Sequence, residues 1–138
     1  MKINGHEIPV ALQEELKSER ARLAPDEEVR LCGMLKHIET PIPTLYDLRG
    51  IQLANQLWIS PEADYYLGEP SSAFPPGNID PQLTLIIGHA EPDSPIALDY
   101  RATPARVVYL GDIENRCFWI ELSSDYSAFL AALRTART

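Results

Sequence analysis

The amino-acid sequence predicts an α+β fold, in which helices flank an antiparallel sheet of about four to six strands. Apolar residues recur at helical spacing near the N-terminus, in the middle and near the C-terminus. Between residues 83 and 122, four runs of strand-forming residues are joined by turns too short for a crossover helix. With 138 residues, 45% hydrophobic and 23% charged, the chain has the length and composition of one globular domain, residues 1–138.

In the first third of the chain, the sequence predicts a helix followed by a strand. Pro9 suits the first turn of a helix, and an apolar stripe follows that ends before Pro25. The residues of this stripe are Leu12, Leu16 and Leu23. In the next run, "EEVRLCGMLKHIET", apolar residues of one parity, from Val29 to Leu35, favour a strand, although a short helix fits almost as well.

The middle of the chain is predicted to hold a second helix and a long loop. In "TPIPTLYDLRGIQLANQLW" an extended, proline-rich lead precedes a helical pattern from Leu48 to Trp58, with Asp47 as the expected N-cap. Residues 60–81 are rich in Pro, Gly, Ser and acidic residues. They predict a short strand near Tyr65 to Leu67 and then an exposed loop.

The C-terminal half predicts a β-meander closed by a helix. The runs "LTLIIGH", "PIALDYR", "RVVYLG" and "CFWIEL" are separated by the turn sequences "AEPDS", "ATPA" and "DIEN". In "SSDYSAFLAALRTART", apolar residues from Tyr126 to Leu133 recur at i, i+3, i+4 and i+7. Ser123 or Ser124 is the expected cap of this helix, and Asp125 suits the positive end of its dipole.

Negative charge is concentrated in the middle of the chain. The formal net charge is −8 at pH 7, and residues 51–100 contain no Lys or Arg. The acidic residues of this stretch are Glu62, Asp64, Glu69, Asp80, Glu91, Asp93 and Asp99. Such a surface repels phosphate backbones, so nucleic acid is not expected as a partner, whereas a basic protein would be attracted to it.

The remaining composition points to a cytoplasmic protein without a metal or other cofactor. No apolar run approaches the roughly 18 residues of a membrane-spanning helix, and the N-terminus lacks the apolar core of a secretory signal. Cys32 and Cys117 are far apart and have apolar or aromatic neighbours, so reduced, buried thiols are expected. The three histidines share no metal-ligand spacing with each other or with the cysteines: His6, His37 and His89.

The stretch "IIGHAEPDSPIALDYRATP" raises the question of catalysis. His89 could act as a base oriented by Asp99, with Arg101 stabilising an oxyanion, but the chain has no nucleophile elbow and no glycine-rich phosphate loop. In the structural interpretation, Asp99 and Arg101 share one face of a strand, where they can contact each other or pair with neighbouring strands. We therefore expect no enzymatic activity and no catalytic residues, with a small hydrolase using His89 and Asp99 as an alternative.

The same stretch, together with the residues after it, resembles a known family. "IGHAEPDSPIALDYRATPARVVYL", the strand "FWIEL" and "SSDYSAFLAAL" resemble the C-terminal half of the SUKH superfamily, which includes bacterial immunity proteins and regulators of yeast cell-wall synthesis. In that family a glycine-ended strand, a turn, a strand ending in aspartate, a further strand and a closing helix recur. The matching residues are Gly88, Asp93, Asp99, Val107, Trp119, Tyr126, Phe129, Leu130 and Leu133.

The resemblance implies a binding domain without catalytic residues, commonly one that neutralises a cognate toxin, often a nuclease or a deaminase. An acidic protein can occupy the basic groove with which a nuclease holds nucleic acid. Partner contacts are then expected among acidic residues and aromatic anchors: Glu62, Asp64, Tyr65, Tyr66, Glu69, Phe74, Asp80, Glu91 and Asp93. Two alternatives stay open: acids that only keep the surface soluble, and a regulatory scaffold whose "EPSSAFPPG" segment docks an adaptor domain.

Overall fold

A computed structural model describes residues 1–18, 23–58 and 65–134 of the chain. Its elements in chain order are β1 (Lys2–Ile3), β2 (His6–Glu7), α1 (Val10–Lys17), α2 (Pro25–Met34), β3 (Thr44–Leu45), α3 (Leu48–Trp58), β4 (Pro76–Gly77), β5 (Thr84–Glu91), β6 (Ser94–Asp99), β7 (Arg106–Ile113), β8 (Arg116–Ser123) and α4 (Tyr126–Arg134). The predicted α+β class, with helices near both ends and in the middle, is confirmed.

The main sheet has six strands in the order β3-β5-β6-β7-β8-β4, and every neighbouring pair is antiparallel. The predicted meander is confirmed as β5 to β8. β3 and β4, each of two residues, form the two edges. A separate hairpin, β1–β2, turns at Asn4 and Gly5, which both have positive φ, as the Asn-Gly dipeptide favours.

Both faces of the main sheet are buried. Alternation along β6 places Ile96 and Leu98 on one face and Ala97 on the other. The first face packs against apolar side chains of α1, α2 and α4: Leu12, Leu31, Tyr126, Phe129 and Leu133. The second face forms a smaller core around Trp119, with Trp58 of α3 packed on it. Burial on both faces explains why the central strands read as nearly continuous apolar runs.

The strand predicted at residues 29–35 is wrong, because this segment belongs mainly to the helix α2. Pro25 occupies the first turn, where its missing N–H is not needed, and three acidic residues in that turn suit the helix dipole. Leu31 and Leu35, four residues apart, are buried, whereas Val29 is 71% exposed. The buried positions therefore follow the period of a helix and not the alternation of a strand.

The boundaries of the first two predicted helices are partly correct. α1 begins after Pro9 but ends at Lys17, so Leu23 lies outside it and reaches the core from the connection to α2. α3 begins directly after Asp47, as predicted, and Asp47 Oδ1 accepts a hydrogen bond from the Gly50 N–H at 2.8 Å.

The cap of α4 is Asp125 and not Ser123 or Ser124. Asp125 Oδ1 accepts a hydrogen bond from the Ala128 N–H at 2.7 Å. A carboxylate here satisfies a free amide and also interacts with the positive end of the helix dipole. Ser123 Oγ instead donates to the Asp125 carbonyl at 3.0 Å.

The strand predicted near Tyr65 to Leu67 is also wrong. Tyr65 and Tyr66 lie in a 3-10 turn, and the strand of this region is β4, which pairs with the end of the meander. Gly68 forms a single bridge with Asn78 at a φ of +74°, and a Cβ there would lie 2.3 Å from the Gly77 carbonyl oxygen. This close backbone approach needs glycine.

Candidate protein-interaction site

A groove with an acidic lining opens at one end of the main sheet, and we call it the acidic groove. Its volume is about 380 Å³. Its walls come from the loop after α2, the β5–β6 turn, the end of β7 and the start of β8. The carboxylates in its lining are Glu39, Glu91, Asp93 and Asp112.

Hydrogen bonds hold the acidic groove in shape. Glu91 Oε1 accepts from the Asp93 N–H and from Ser94 Oγ, both at 3.0 Å, which orders the β5–β6 turn. On the opposite wall, the Asp112 N–H donates to the His37 carbonyl at 3.0 Å and ties the loop after α2 to β7. The carboxylates therefore stand on a framework of the sheet and its turns.

The acidic groove carries negative charge that is not neutralised within the described residues. None of its four carboxylates forms an ion pair there. Among the described residues, its lining contains no lysine or arginine and one histidine, His37. Carboxylates that share a concave surface reinforce each other's potential, so a cationic group that enters is attracted by all of them.

Cys117 lies at the rim of the acidic groove and is exposed, so the expectation of a buried thiol is wrong for this residue. Its strand position places it opposite Asp112 on β7. Partial burial of the thiol, and then the carboxylates of Asp112 and Glu69, raise the pKa of Cys117. A thiol with a raised pKa stays protonated at neutral pH and is a weak nucleophile.

Of the contact residues predicted from the sequence, Glu91 and Asp93 lie together in the acidic groove. Phe74 lies beside it, because its ring packs edge-on against the His37 ring with centroids 5.4 Å apart. Tyr65 is 85% exposed and is not part of the groove lining. Two further predicted acids fall outside the described residues: Glu62 and Asp64.

The other predicted contact residues already have partners within the chain. Glu69 forms an exposed ion pair with Arg116, with Oε1 and Nη2 2.7 Å apart. Asp80 Oδ1 accepts a backbone N–H of the following 3-10 turn at 3.0 Å. The Tyr66 carbonyl accepts from Trp119 Nε1 at 2.6 Å. Any contact of these residues with a partner stays a prediction, and binding there would compete with intramolecular interactions.

Sequence reasoning missed Glu39 and Asp112 as members of the groove. Both lie outside the acid-only stretch 51–100, and each has a basic residue within four positions, Lys36 before Glu39 and Arg116 after Asp112. They join Glu91 and Asp93 only because the loop after α2 and the end of β7 meet the β5–β6 turn. No local pattern contains this information.

The pairing of His89 with Asp99 that a hydrolase would need is not formed. β5 and β6 are antiparallel, so Asp99 pairs with Thr84 at one end of β5 while His89 pairs with Pro95 near the other. The antiparallel register therefore separates the proposed base from its proposed orienting carboxylate, and the mechanism built on this pair is wrong.

His89 instead forms a hydrogen bond with Tyr46, with Oη and Nδ1 2.6 Å apart. Burial lowers the pKa of His89, although Glu91 acts in the opposite direction. Burial also raises the pKa of Tyr46. At neutral pH this hydrogen bond therefore joins a protonated phenol to a neutral imidazole, and it attaches Tyr46, in the connection between β3 and α3, to β5.

Asp99 is fully buried between two arginines. Arg101 Nε lies 3.1 Å from Oδ1 and Arg106 Nε lies 2.8 Å from Oδ2, which confirms the predicted Asp99–Arg101 contact. Burial by itself would raise the pKa of Asp99, but the hydrogen bonds from the two arginines outweigh it and lower the pKa. Asp99 is therefore an ionised structural residue.

The proline-rich segment "EPSSAFPPG" lies against the main sheet. The Glu69 N–H donates to the Gly77 carbonyl at 3.1 Å, and the Glu121 N–H on β8 donates to the Pro75 carbonyl at 3.3 Å. Adaptor domains that recognise proline-rich ligands need an accessible polyproline helix. This segment would have to detach from the sheet before such a domain could bind it.

The described part of the chain shows neither a metal site nor a membrane-spanning helix. Within residues 1–18, 23–58 and 65–134, no group of three His, Cys, Asp or Glu side chains is arranged to hold a metal ion. Of the helices in these ranges, none has the length and apolar character needed to cross a membrane.

Comparison of the chain with protein-family models, with curated proteins and with solved structures finds no match. The resemblance to the SUKH superfamily therefore stays a prediction from the sequence.

Proposed function

We propose that this protein is a non-catalytic binding domain of the cytoplasm that holds a basic protein partner in its acidic groove. The observation that carries the proposal is the set of four carboxylates that line one groove without an ion-pair partner among the described residues. A soluble surface needs negative charge, but it does not need that charge gathered in a concave site without cations.

The class of partner comes from the sequence resemblance. Members of the SUKH superfamily commonly act as immunity proteins, so we propose a toxin domain of the nuclease or deaminase type. A nuclease holds its substrate in a basic groove, and an acidic protein that enters this groove blocks the substrate. Charges at the rim of such an interface mainly speed association, and salt weakens this effect.

The first experiment is affinity purification of the protein from cells of its own source at low and moderate salt, with mass spectrometry of the captured chains. We expect a basic chain of nuclease or deaminase type that moderate salt releases. Purification of that chain then allows the association rate to be measured directly, and allows its toxic activity to be assayed with and without this protein.

A charge-reversed variant tests the groove itself. Glu39→Lys combined with Asp112→Lys changes two groove carboxylates that form no ion pair among the described residues. We expect the association rate at low salt to fall by about tenfold or more and its salt dependence to flatten.

The matched control is Glu14→Lys with Glu121→Lys, which changes the net charge equally. Glu14 is exposed on α1, and the one ion pair of the Glu121 side chain among the described residues is a 3.9 Å contact with Arg106. This control should keep most of the association rate. If both double variants lose the same fraction, the effect is one of net charge, and the acidic groove is not the binding site.

A further inference from the structure

The β3 edge of the main sheet has backbone groups that face away from the sheet. The register pairs Thr44 with His89. Ile42 and Tyr46 lie two residues before and two residues after Thr44. Their N–H groups donate to carbonyls of β5 at 2.8 and 2.9 Å, respectively. In an antiparallel pair the backbone groups of alternate residues point to the same side. The N–H and carbonyl of Leu45 therefore point outward, away from β5.

These outward groups have no hydrogen-bond partner among the described residues. Neither the backbone hydrogen bonds outside the strands nor those made by side chains include the Leu45 N–H or carbonyl. Pro43, two residues before Leu45, is buried and has no N–H. The edge thus offers one donor and one acceptor, both on Leu45, with which one residue of an added strand could pair.

A groove of about 550 Å³ runs beside this edge, and we call it the β3 groove. It combines an apolar part with two acidic residues. Ile42, in its lining, is 62% exposed, and Leu45 and Tyr46 are half-buried. Glu28 and Asp47 are exposed in the same lining, whose described residues include no lysine or arginine. Neither carboxylate forms an ion pair among the described residues.

These features select one class of occupant. Outward backbone groups pair with an extended chain. The exposed apolar surface favours apolar side chains on one side of that chain, and the two carboxylates favour lysine or arginine. A second copy of this chain fits less well, because each copy has a formal net charge of −8 and would bring the same two carboxylates to the interface.

We infer that the β3 groove binds an extended, basic segment of a protein by strand addition to β3, with Leu45 as the residue that pairs with it. This is a second interaction surface and does not depend on a partner for the acidic groove. Specificity would come from alternate side chains of the added strand, one set against Ile42 and the other towards Glu28 and Asp47.

The probe is a blocked six-residue peptide of alternating lysine and valine, titrated at moderate salt into the ¹⁵N-labelled full chain. We expect saturable shifts of backbone amide signals from residues 42–50 and slower hydrogen exchange of the Leu45 amide. A peptide of the same composition with an N-methylated central valine should bind about tenfold more weakly, because it lacks one backbone donor. A glutamate–valine peptide should bind more weakly still.

Variants of the protein locate the binding. Leu45→Pro removes the outward N–H but leaves the bonds of Thr44 and Tyr46 to β5, and we expect about tenfold weaker peptide binding. Leu45→Ala keeps the N–H and is the matched control, which should bind within about threefold of the original chain. The acidic-groove variant Glu39→Lys with Asp112→Lys should bind the peptide unchanged.

Several results would overturn this inference. It is wrong if amides of residues 42–50 do not shift, if the N-methylated peptide binds equally well, or if the acidic-groove variant loses binding while Leu45→Pro keeps it. Dimerisation of the chain that Leu45→Pro abolishes would assign the edge to a second copy instead. Because the peptide experiment uses no toxin, its failure leaves the proposed function untouched, and a missing toxin partner leaves this inference untouched.

Discussion

Replacement of Asn55 by alanine is expected to lower the free energy of unfolding by about 2–5 kcal/mol. Asn55 is fully buried on α3. Its side chain acts as a substitute strand partner for β5, because Oδ1 accepts from the Ile86 N–H at 2.8 Å and Nδ2 donates to the Ile86 carbonyl at 2.8 Å. Nδ2 also donates to the Ile51 carbonyl at 2.7 Å.

The magnitude follows from the groups that the substitution leaves unpaired. Alanine removes the partner of a buried N–H and of a buried carbonyl on Ile86, and each unpaired group costs about 1–3 kcal/mol. The higher helix propensity of alanine raises the free energy of unfolding by about 0.5 kcal/mol and offsets part of this loss. A net loss of about 2–5 kcal/mol is a large part of the roughly 5–15 kcal/mol that stabilises an ordinary domain.

Urea unfolding of Asn55→Ala and of the original chain tests this expectation, with the slope of the transition compared to check that unfolding stays two-state. The control is Gln52→Ala on the exposed side of α3, which should change stability by less than about 0.5 kcal/mol. Hydrogen exchange of the Ile86 amide should also accelerate in Asn55→Ala. A loss below about 1 kcal/mol, with the Ile86 amide still protected, would refute the strand-partner role.

Three further predictions concern the buried carboxylate, the buried imidazole and a glycine of β5. Asp99→Asn removes the buried charge that Arg101 and Arg106 share, so we expect a loss of about 3 kcal/mol near neutral pH. Because the folded-state pKa of Asp99 lies below its ordinary value of 3.8, this stabilisation is present above that pH and disappears as the pH falls through the folded-state pKa. Unfolding measured across acid pH checks this, and a loss that does not change with pH would contradict it. Burial lowers the pKa of His89, so an NMR titration should have its midpoint below 6.5, and stability should decrease on acidification through 6.5 because the unfolded chain binds the proton more readily. His89→Gln should remove this part of the pH dependence, and a midpoint above 6.5 would show the explanation to be wrong. A Cβ on Gly88 would lie 2.3 Å from the Thr44 carbonyl oxygen, so Gly88→Ala should cost more than about 1 kcal/mol in thermal or urea unfolding. Gly33→Ala, at an exposed helix position with open space around it, should instead add about 0.5–1 kcal/mol, and equal effects of the two substitutions would count against the close approach at β3.

The elements with a strong local pattern could be predicted from the sequence. The meander β5 to β8 follows from short strand-forming runs with turn residues between them, and α3 and α4 follow from helical spacing with an acidic residue at each start. The error at α2 has a physical cause, because the residues near Val29 and Gly33 fit either period and only contact with the core decides between them.

The candidate site could be predicted only in part. The acid-only stretch pointed to Glu91 and Asp93, which lie in the acidic groove, but also to Glu69 and Asp80, which have partners within the chain. A count of charges along a sequence does not show which carboxylates will meet an arginine or a backbone amide in the folded state. That pairing depends on contacts between residues far apart in the chain.

The sequence by itself determined the α+β class, the antiparallel meander, the closing helix and the excess of negative charge, because each depends on local periodicity or on composition. Only the tertiary structure decided that Glu39 and Asp112 join the acidic groove, that His89 and Asp99 lie apart, and that Leu45 turns free backbone groups outward. These features depend on strand register and on which segments meet at the sheet edges. Register and edge contacts are set by packing across the whole chain, and no local pattern of residues specifies them.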